Sequence, residues 1–373
     1  MPRVISHISV SRYQIPLRGT KPFANQHHYR EGLLISLWDS DGFCAQGEVA
    51  PLAGFSRMDL NACQSWLIKH LSCWLAKAIP TRWDWSLQPV FYQWHSSPVP
   101  DSCKMGLDAA WLELVRQQPL SIDKKTIIPR CALISDLSSG VMANKFNKGK
   151  AFIRNGLSPA READPIKAVK VKVGHEPWQM TRPLLMSLRT HIPSEIALCL
   201  DGNQKMLLED AVSLVDSLQV AYFEEPLTHN RQHADFFLRS GIPYAWDETL
   251  QVASQISAGK WISTLTEQKS WQEKGLSTIV LKPTLLGGLW QAWQLAQMAA
   301  HAGKSVILSS AFESSLGISQ LEWFATQFPG LAWAGLDTLQ FMQAKLQRIP
   351  RMWSCFEPQV DLPVANQEVV WVQ

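Results

Sequence analysis

The sequence predicts an α/β protein built on a (β/α)8 barrel, with an N-terminal α+β domain capping it and a C-terminal tail returning to the cap. Three observations carry this. From about residue 128 onward, eight short apolar runs alternate with amphipathic helical patterns over about 210 residues, close to the ~250 typical of such a barrel. Ahead of them, the chain reads as antiparallel strands followed by two helices. And charged residues end one apolar run after another, where barrel sites form. The boundaries expected are 1–115 for the cap, 116–340 for the barrel and 341–373 for the tail.

In chain order, residues 4–49 read as strands. Leu33 to Trp38 runs into Asp39-Ser40-Asp41-Gly42 and then Phe43 to Val49, with turn residues between two apolar runs marking a hairpin. Ser56 and Asp59 stand in capping-box-like spacing. Leu60, Cys63, Leu67, Leu71, Trp74 and Leu75 then keep a helical stripe. A second helix is expected over Cys103 to Arg116. The eight barrel runs are Cys131–Ile134, Ala168–Val173, Ile196–Leu200, Val220–Phe223, Pro243–Trp246, Thr278–Leu281, Val306–Leu308 and Leu331–Trp333. Between them, Leu207, Ala211, Leu214, Val215 and Leu218 make one helical face. Leu289, Trp293, Ala296 and Ala300 make another, stopped by Gly303. Ser138 to Pro165 is polar and reads as a long loop. The tail, with Pro350, Pro358 and Pro363, reads as non-helical. A doubly wound open sheet is the alternative, but no G-x-G-x-x-G follows a first strand.

Composition excludes several classes. A formal net charge of +3, evenly spread, gives no basis for nucleic-acid or anionic-membrane binding. No apolar run reaches the ~18 residues of a membrane span, and Met1 to Pro16 has no signal-peptide core. Seven scattered cysteines without a C-x-x-C read as reduced thiols of a cytoplasmic protein.

The chemistry lies at the run ends. Lys170 and Lys172, two apart on one strand, face the same side. Asp201 ends the third run, Glu224 the fourth, Asp247 the fifth and Lys282 the sixth. Asp201 to Glu224 is 23 residues, and Glu224 to Asp247 is 23 again, about one β/α unit each. Three carboxylates would therefore point inward from three adjacent strands. A hard divalent cation relieves their repulsion, and oxygen ligation favours Mg²⁺, with Mn²⁺ as a substitute. Taken singly, a K-x-K is usually a solvated strand face, a strand-end Asp is as often a cap as a ligand, and E-E-P is common at turns. The ordered combination is what carries the reading.

That ordered set resembles the enolase superfamily, and within it the o-succinylbenzoate synthases in their γ-proteobacterial form. The similarity rests on Gly47 to Ser56 in the cap, Val169 to Gly174, Leu200 to Asn203, Phe223 to Pro226, Ala245 to Glu248, Leu281 to Thr284, Ser309 to Gly317 and Gly335 to Thr338. The resemblance implies an enolase-like capped barrel in which Asp201, Glu224 and Asp247 bind Mg²⁺. It implies Lys172 as general base, Lys282 as the cation across the substrate, and Lys170 as a group polarising the substrate carboxylate. Ser309, Gly335 and Asn203 would be substrate contacts. The implied reaction dehydrates 2-succinyl-6-hydroxy-2,4-cyclohexadiene-1-carboxylate, a small anion, to o-succinylbenzoate in menaquinone biosynthesis. A lysine base must be uncharged, and neighbouring cations disfavour its ammonium form. A monomer is expected. Two departures stand out: Cys199 where the resemblance implies an Arg, and a longer 138–165 loop.

Other enzymes of the same scaffold share this frame, among them N-acylamino acid racemases, dipeptide epimerases and cycloisomerases. Dipeptide epimerases carry an Asp-x-Asp after the eighth strand, where Gly335-Leu336-Asp337-Thr338 offers one Asp. A non-catalytic anion-binding barrel is a further alternative.

Overall fold

The computed structural model describes residues 2–18, 28–95, 97–123, 125–135, 165–251, 269–328, 330–346, 348 and 365–373. Among these, eight parallel strands close a barrel and four antiparallel strands form a separate sheet. The sheet runs β12-β1-β2-β3, with β1 at Ile5–Pro16, β2 at Tyr29–Asp39, β3 at Cys44–Val49 and β12 at Gln367–Val372. The chain's last strand thus pairs antiparallel with its first, Ser9 against Val372 and Tyr13 against Gln367. Residues 138–164, Cys355, Pro350, Pro358 and Pro363 lie outside the described residues.

The β2–β3 hairpin turns where Asp39 and Gly42 are. The Asp39 carboxylate accepts from the backbone N–H groups of Asp41 (3.0 Å) and Phe43 (2.8 Å). Gly42 takes φ +86°, a value at which a Cβ is unfavourable. Helix Leu60–His70 is capped by Asp59, whose carboxylate accepts from Ala62 N at 2.8 Å. Ser56 does not share that cap. Its hydroxyl accepts from Leu52 N at 2.9 Å and closes the preceding loop instead. The helical stripe continues past His70 as a 3₁₀ turn, which delivers Leu71 and Trp74 into the cap core.

Helix Asp101–Arg116 is buried along nearly its whole length. It lies between the cap sheet and the barrel, and two glycines allow the close approach. A Cβ on Gly47 would stand 1.8 Å from the Gly106 carbonyl oxygen, and one on Gly106 would stand 2.6 Å from Val49.

The barrel order is β10-β11-β4-β5-β6-β7-β8-β9. Its strands are β4 Arg130–Ile134, β5 Ile166–Lys172, β6 Ala197–Asp201, β7 Tyr222–Glu224, β8 Tyr244–Trp246, β9 Leu276–Leu281, β10 Ser305–Ser309 and β11 Leu331–Gly335. All eight predicted runs are strands, shifted by a residue or two. Inside the barrel, Cys131, Ala168, Cys199, Tyr222, Ala245, Val280 and Ile307 pack together. Outside it, strands bury their other faces against the helix ring. Helix faces match the stripes with two exceptions at their ends. Leu207 precedes its helix and is 62% exposed, and Ala300 is exposed where Ala299 is buried. No described helix is long and apolar enough to cross a membrane.

Gly47→Ala should lower unfolding stability by about 2–3 kcal/mol, the cost of forcing two backbones apart in a packed core. Urea denaturation would read this as a lower midpoint. An unchanged midpoint would show that helix Asp101–Arg116 shifts freely.

Candidate active site

Parallel register aligns the charged residues at one end of the barrel. Lys172 is the cross-strand partner of Asp201, and Asp201 of Glu224. Asp247 follows the last residue of β8, and Lys282 the last of β9. Asp201, Glu224 and Asp247 are buried.

The ammonium groups reach these carboxylates. Lys170 Nζ stands 2.9 and 3.0 Å from the two Glu224 oxygens and 3.5 Å from Asp201 Oδ2. Lys172 Nζ stands 3.3 Å from the same Asp201 oxygen and donates to Asn203 Oδ1 at 2.7 Å. Lys282 pairs with Asp247. So the structure brings together all six predicted metal and lysine positions. It adds Asn203, which touches the Lys172 ammonium and donates through Nδ2 to Glu248 Oε1 at 3.0 Å. Asn203 thus bridges Lys172 and Glu248.

Ser309 and Gly335 sit apart from this cluster, paired with each other on β10 and β11. The Ser309 hydroxyl donates to the Gly335 carbonyl at 3.3 Å. The ring thus has two halves. Strands β5 to β9 carry the charges, with Lys172 and Lys282 four strands apart on an eight-strand ring, hence opposite each other. Strands β10 and β11 end in small neutral groups.

Three residues of the site have no predicted role. Glu225 turns away from the cluster at φ +38°. Its carboxylate accepts from Asp247 N (2.9 Å), Thr249 N (2.7 Å), the Thr249 hydroxyl (2.9 Å) and Gln204 Nε2 (2.9 Å). It brackets the loop that presents Asp247. Gln251 Nε2 donates to Asp247 Oδ1 at 3.1 Å. Glu248 is the fourth acid. Doubled acids in Glu224-Glu225 and Asp247-Glu248 are the sequence signal for such a pair, one facing the cluster and one supporting it.

Electrostatics follow from burial and from who faces whom. Burial alone would raise the Asp201 carboxyl, but Lys172, Lys170 and Lys282 outweigh it and hold it well below the usual range. Burial would lower Lys170 and Lys282. Glu224, Asp201 and Asp247 raise the first, Asp247 and Glu248 raise the second, and both stay above the ordinary lysine value. Burial, then Asp247, pushes Glu248 up to about 8. Burial with Asp201 and Asp247 does the same to Glu224, against the pull of Lys170, also to about 8. In both, burial is the first cause and the neighbouring acids add to it.

This donor set suits a hard divalent cation. With Lys172 uncharged, as a base must be, four carboxylates against two ammonium groups leave −2, the charge one such ion neutralises. In this arrangement the lysines take the carboxylate oxygens. Among the described residues, no three His, Cys, Asp or Glu side chains converge as ready-made ligands. Asp201, Glu224 and Asp247 would have to turn from ammonium to metal.

Comparisons with known proteins bear on this geometry. Residues 5–91 match the family model described as MenC, N-terminal domain. Proteins named o-succinylbenzoate synthase are similar over nearly the full length. One from Yersinia pestis (strain Pestoides F) is 29% identical, covering 96% of this chain and 97% of the relative. One from Pectobacterium atrosepticum is 28% identical, covering 98% of each. Among solved structures, the L-Ala-D/L-Glu epimerase of Bacillus subtilis superposes with TM-score 0.71 at 18% identity, covering 99% of both chains. An enolase superfamily member from Roseovarius nubinhibens ISM, complexed with magnesium, gives 0.68 at 16%, covering 92% of this chain and 89% of that one. At those identities the superpositions establish the fold. Residues 156–347, more than half of the chain, match the model described as Enolase C-terminal domain-like, and the chain belongs to that family of the enolase superfamily.

Proposed function

We propose that this chain is an o-succinylbenzoate synthase, dehydrating 2-succinyl-6-hydroxy-2,4-cyclohexadiene-1-carboxylate in menaquinone biosynthesis. The observation that carries the reading is the opposition of Lys172 and Lys282 across the barrel mouth, with the acid cluster on the strands between them. Full-length similarity to proteins of that name supports it.

The reaction removes a proton next to a carboxylate, which then gains a second negative charge. Mg²⁺ held by Asp201, Glu224 and Asp247 would supply Lewis-acid stabilisation of that charge. The protein's own residues do the rest. Lys172, oriented by Asn203, takes the proton. Lys282 stays charged and faces the planar dianion from the other side, a desolvated cation–π contact worth ~2 kcal/mol or more. Lys170, released from Glu224 and Asp201 as they turn to the metal, polarises the substrate carboxylate. Protonated Lys172 then gives its proton to the departing 6-hydroxyl, and the ring becomes aromatic. The neutral ends of β10 and β11, with Ser309 and Gly335, receive the succinyl arm.

A dipeptide epimerase reading has less support. Asp337, the lone acid after the eighth strand, accepts from Gln340 Nε2 at 3.0 Å and from Leu133 N at 3.4 Å. It is tied to the strand ends and has no second Asp two residues on to help hold an ammonium.

With the cyclohexadiene substrate and Mg²⁺, the aromatic product should accumulate. EDTA should stop it, and added Mg²⁺ should restore it. Lys172→Ala should lose at least ~100-fold in turnover while calorimetry still detects Mg²⁺ binding. Near-normal turnover would remove Lys172 from the role of base. Asn203→Ala should lower kcat by ~10–100-fold, as loss of an orienting partner does, with KM changing much less. A raised KM with kcat intact would instead make Asn203 a substrate contact.

A further inference from the structure

Arg30 is buried, and within the described residues every acceptor it reaches is a main-chain carbonyl. Its Nε donates to Phe312 O at 2.8 Å. One terminal nitrogen donates to Pro51 O at 2.7 Å and to Glu31 O at 2.9 Å. The other donates to Ala50 O at 2.5 Å and to Ala311 O at 3.4 Å. Two of these carbonyls belong to the cap loop that follows β3. Two belong to the loop that follows β10, two and three residues past Ser309.

These two loops meet over the barrel. Leu52 packs against Leu285 and Ala311, with Phe312 beside them. Leu285 lies three residues beyond Lys282. The contact is a small apolar roof joining the cap to the sixth and seventh barrel strands. Phe312 holds φ +61°, a backbone conformation that L side chains rarely adopt. Its carbonyl is the one that Arg30 Nε engages. A planar guanidinium with five donors spans carbonyls diverging from two chains. An ammonium has three donors at one point and cannot.

We propose that Arg30 is a positioning residue for the reaction. It fixes the Ala50–Leu52 segment against Ala311–Phe312, so that the apolar roof and the β10 end close on the substrate's ring and arm. It touches neither the acid cluster nor the lysines. Its effect therefore falls on substrate binding rather than on the proton transfer. This rests on the barrel mouth being the reaction site proposed above.

The experiment uses the full-length chain with Arg30→Lys and Arg30→Met. In hydrogen–deuterium exchange, both variants should lose protection in residues 50–56 and 311–314 together, with the barrel strands unchanged. Arg30→Lys should raise KM by ~10-fold or more, kcat should stay within ~3-fold, and Mg²⁺ affinity should be unchanged. Added guanidinium should partly restore KM in Arg30→Met. Unchanged KM in folded variants would overturn the proposal. So would exchange that rises in one loop only, or losses of kcat that track thermal stability. If Arg30→Met does not fold, Arg30→Lys decides. If the wild-type chain turns over no cyclohexadiene substrate, the functional reading fails, and the paired exchange signature still tests the clamp.

Discussion

Everything in the site depends on parallel strands holding ionised groups in register where water is largely excluded. Adjacent strands lie ~4.8 Å apart. Two like charges ~5 Å apart repel by ~3 kcal/mol at an effective dielectric of ~20. The register that pairs Lys172 with Asp201 and Asp201 with Glu224 makes opposite charges neighbours at the first step and like charges at the second. Lys170 resolves the second step. One residue pair deeper in the barrel, it sends its ammonium up between Asp201 and Glu224. Lys170 alone reaches both acids, and Lys172, on the same strand face, adds a second contact to Asp201. Glu225 performs the complementary task from outside. By holding the backbone of Asp247 and Thr249, it fixes the third acid without adding its own charge to the cluster.

Buried acids tie the cap to the rest of the chain. Glu48, at the end of β3, accepts from the Tyr13 hydroxyl, from Ser314 N (2.9 Å) and hydroxyl (2.6 Å), and from Gly317 N (2.7 Å). It therefore caps helix Ser315–Ala325, placing a negative charge on exposed N–H groups at a helix start. Glu113 accepts from Gln46 N and Leu120 N and pairs with both terminal nitrogens of Arg348. Asp108 takes the N–H of Trp290 at 3.0 Å and the Tyr92 hydroxyl at 2.7 Å. Buried charges of this kind add little net stability over an apolar contact but are costly to leave unpaired. Their directionality suits a seam that must hold a loop over a reaction centre in one orientation.

Much of this was legible in the sequence because the signals are local. Period-2 and period-3.6 patterns located the hairpin, both cap helices and eight barrel strands. A constant step of 23 residues placed three acids on adjacent strands. What was not legible is long-range or conformational. Arg30 reaches Phe312 across 282 positions, and nothing near Arg30 announces it. Glu225 looks like half of a turn until its φ of +38° turns it outward. Asn203, expected among the substrate contacts, also accepts a hydrogen bond from Lys172, a link its spacing does not announce. Ser56 stands at capping distance from the helix, yet the loop's own backbone claims its hydroxyl. Leu207 lies on the helical stripe by spacing, but the helix starts one residue later.

Cys199 stands where the resemblance implied an arginine. It is the cross-strand partner of Lys170 and lies wholly inside the barrel. Around it stand Cys131, Ala168 and Tyr222, and Tyr222 stacks on Trp333 at 6.3 Å with the rings 11° from parallel. Burial holds both thiols up, Cys131 to about 12. An arginine at 199 would be a further buried cation beside Lys170, whose acidic partners are already engaged. In this chain Tyr222 and Trp333 pack in the barrel interior, and three lysines stand at the mouth. That leaves Lys170 as the single cation facing both Asp201 and Glu224 from below, and any ligand that draws those carboxylates away must also free the Lys170 ammonium. The charge set loose lies on the strand that carries Lys172, where an incoming carboxylate would meet it.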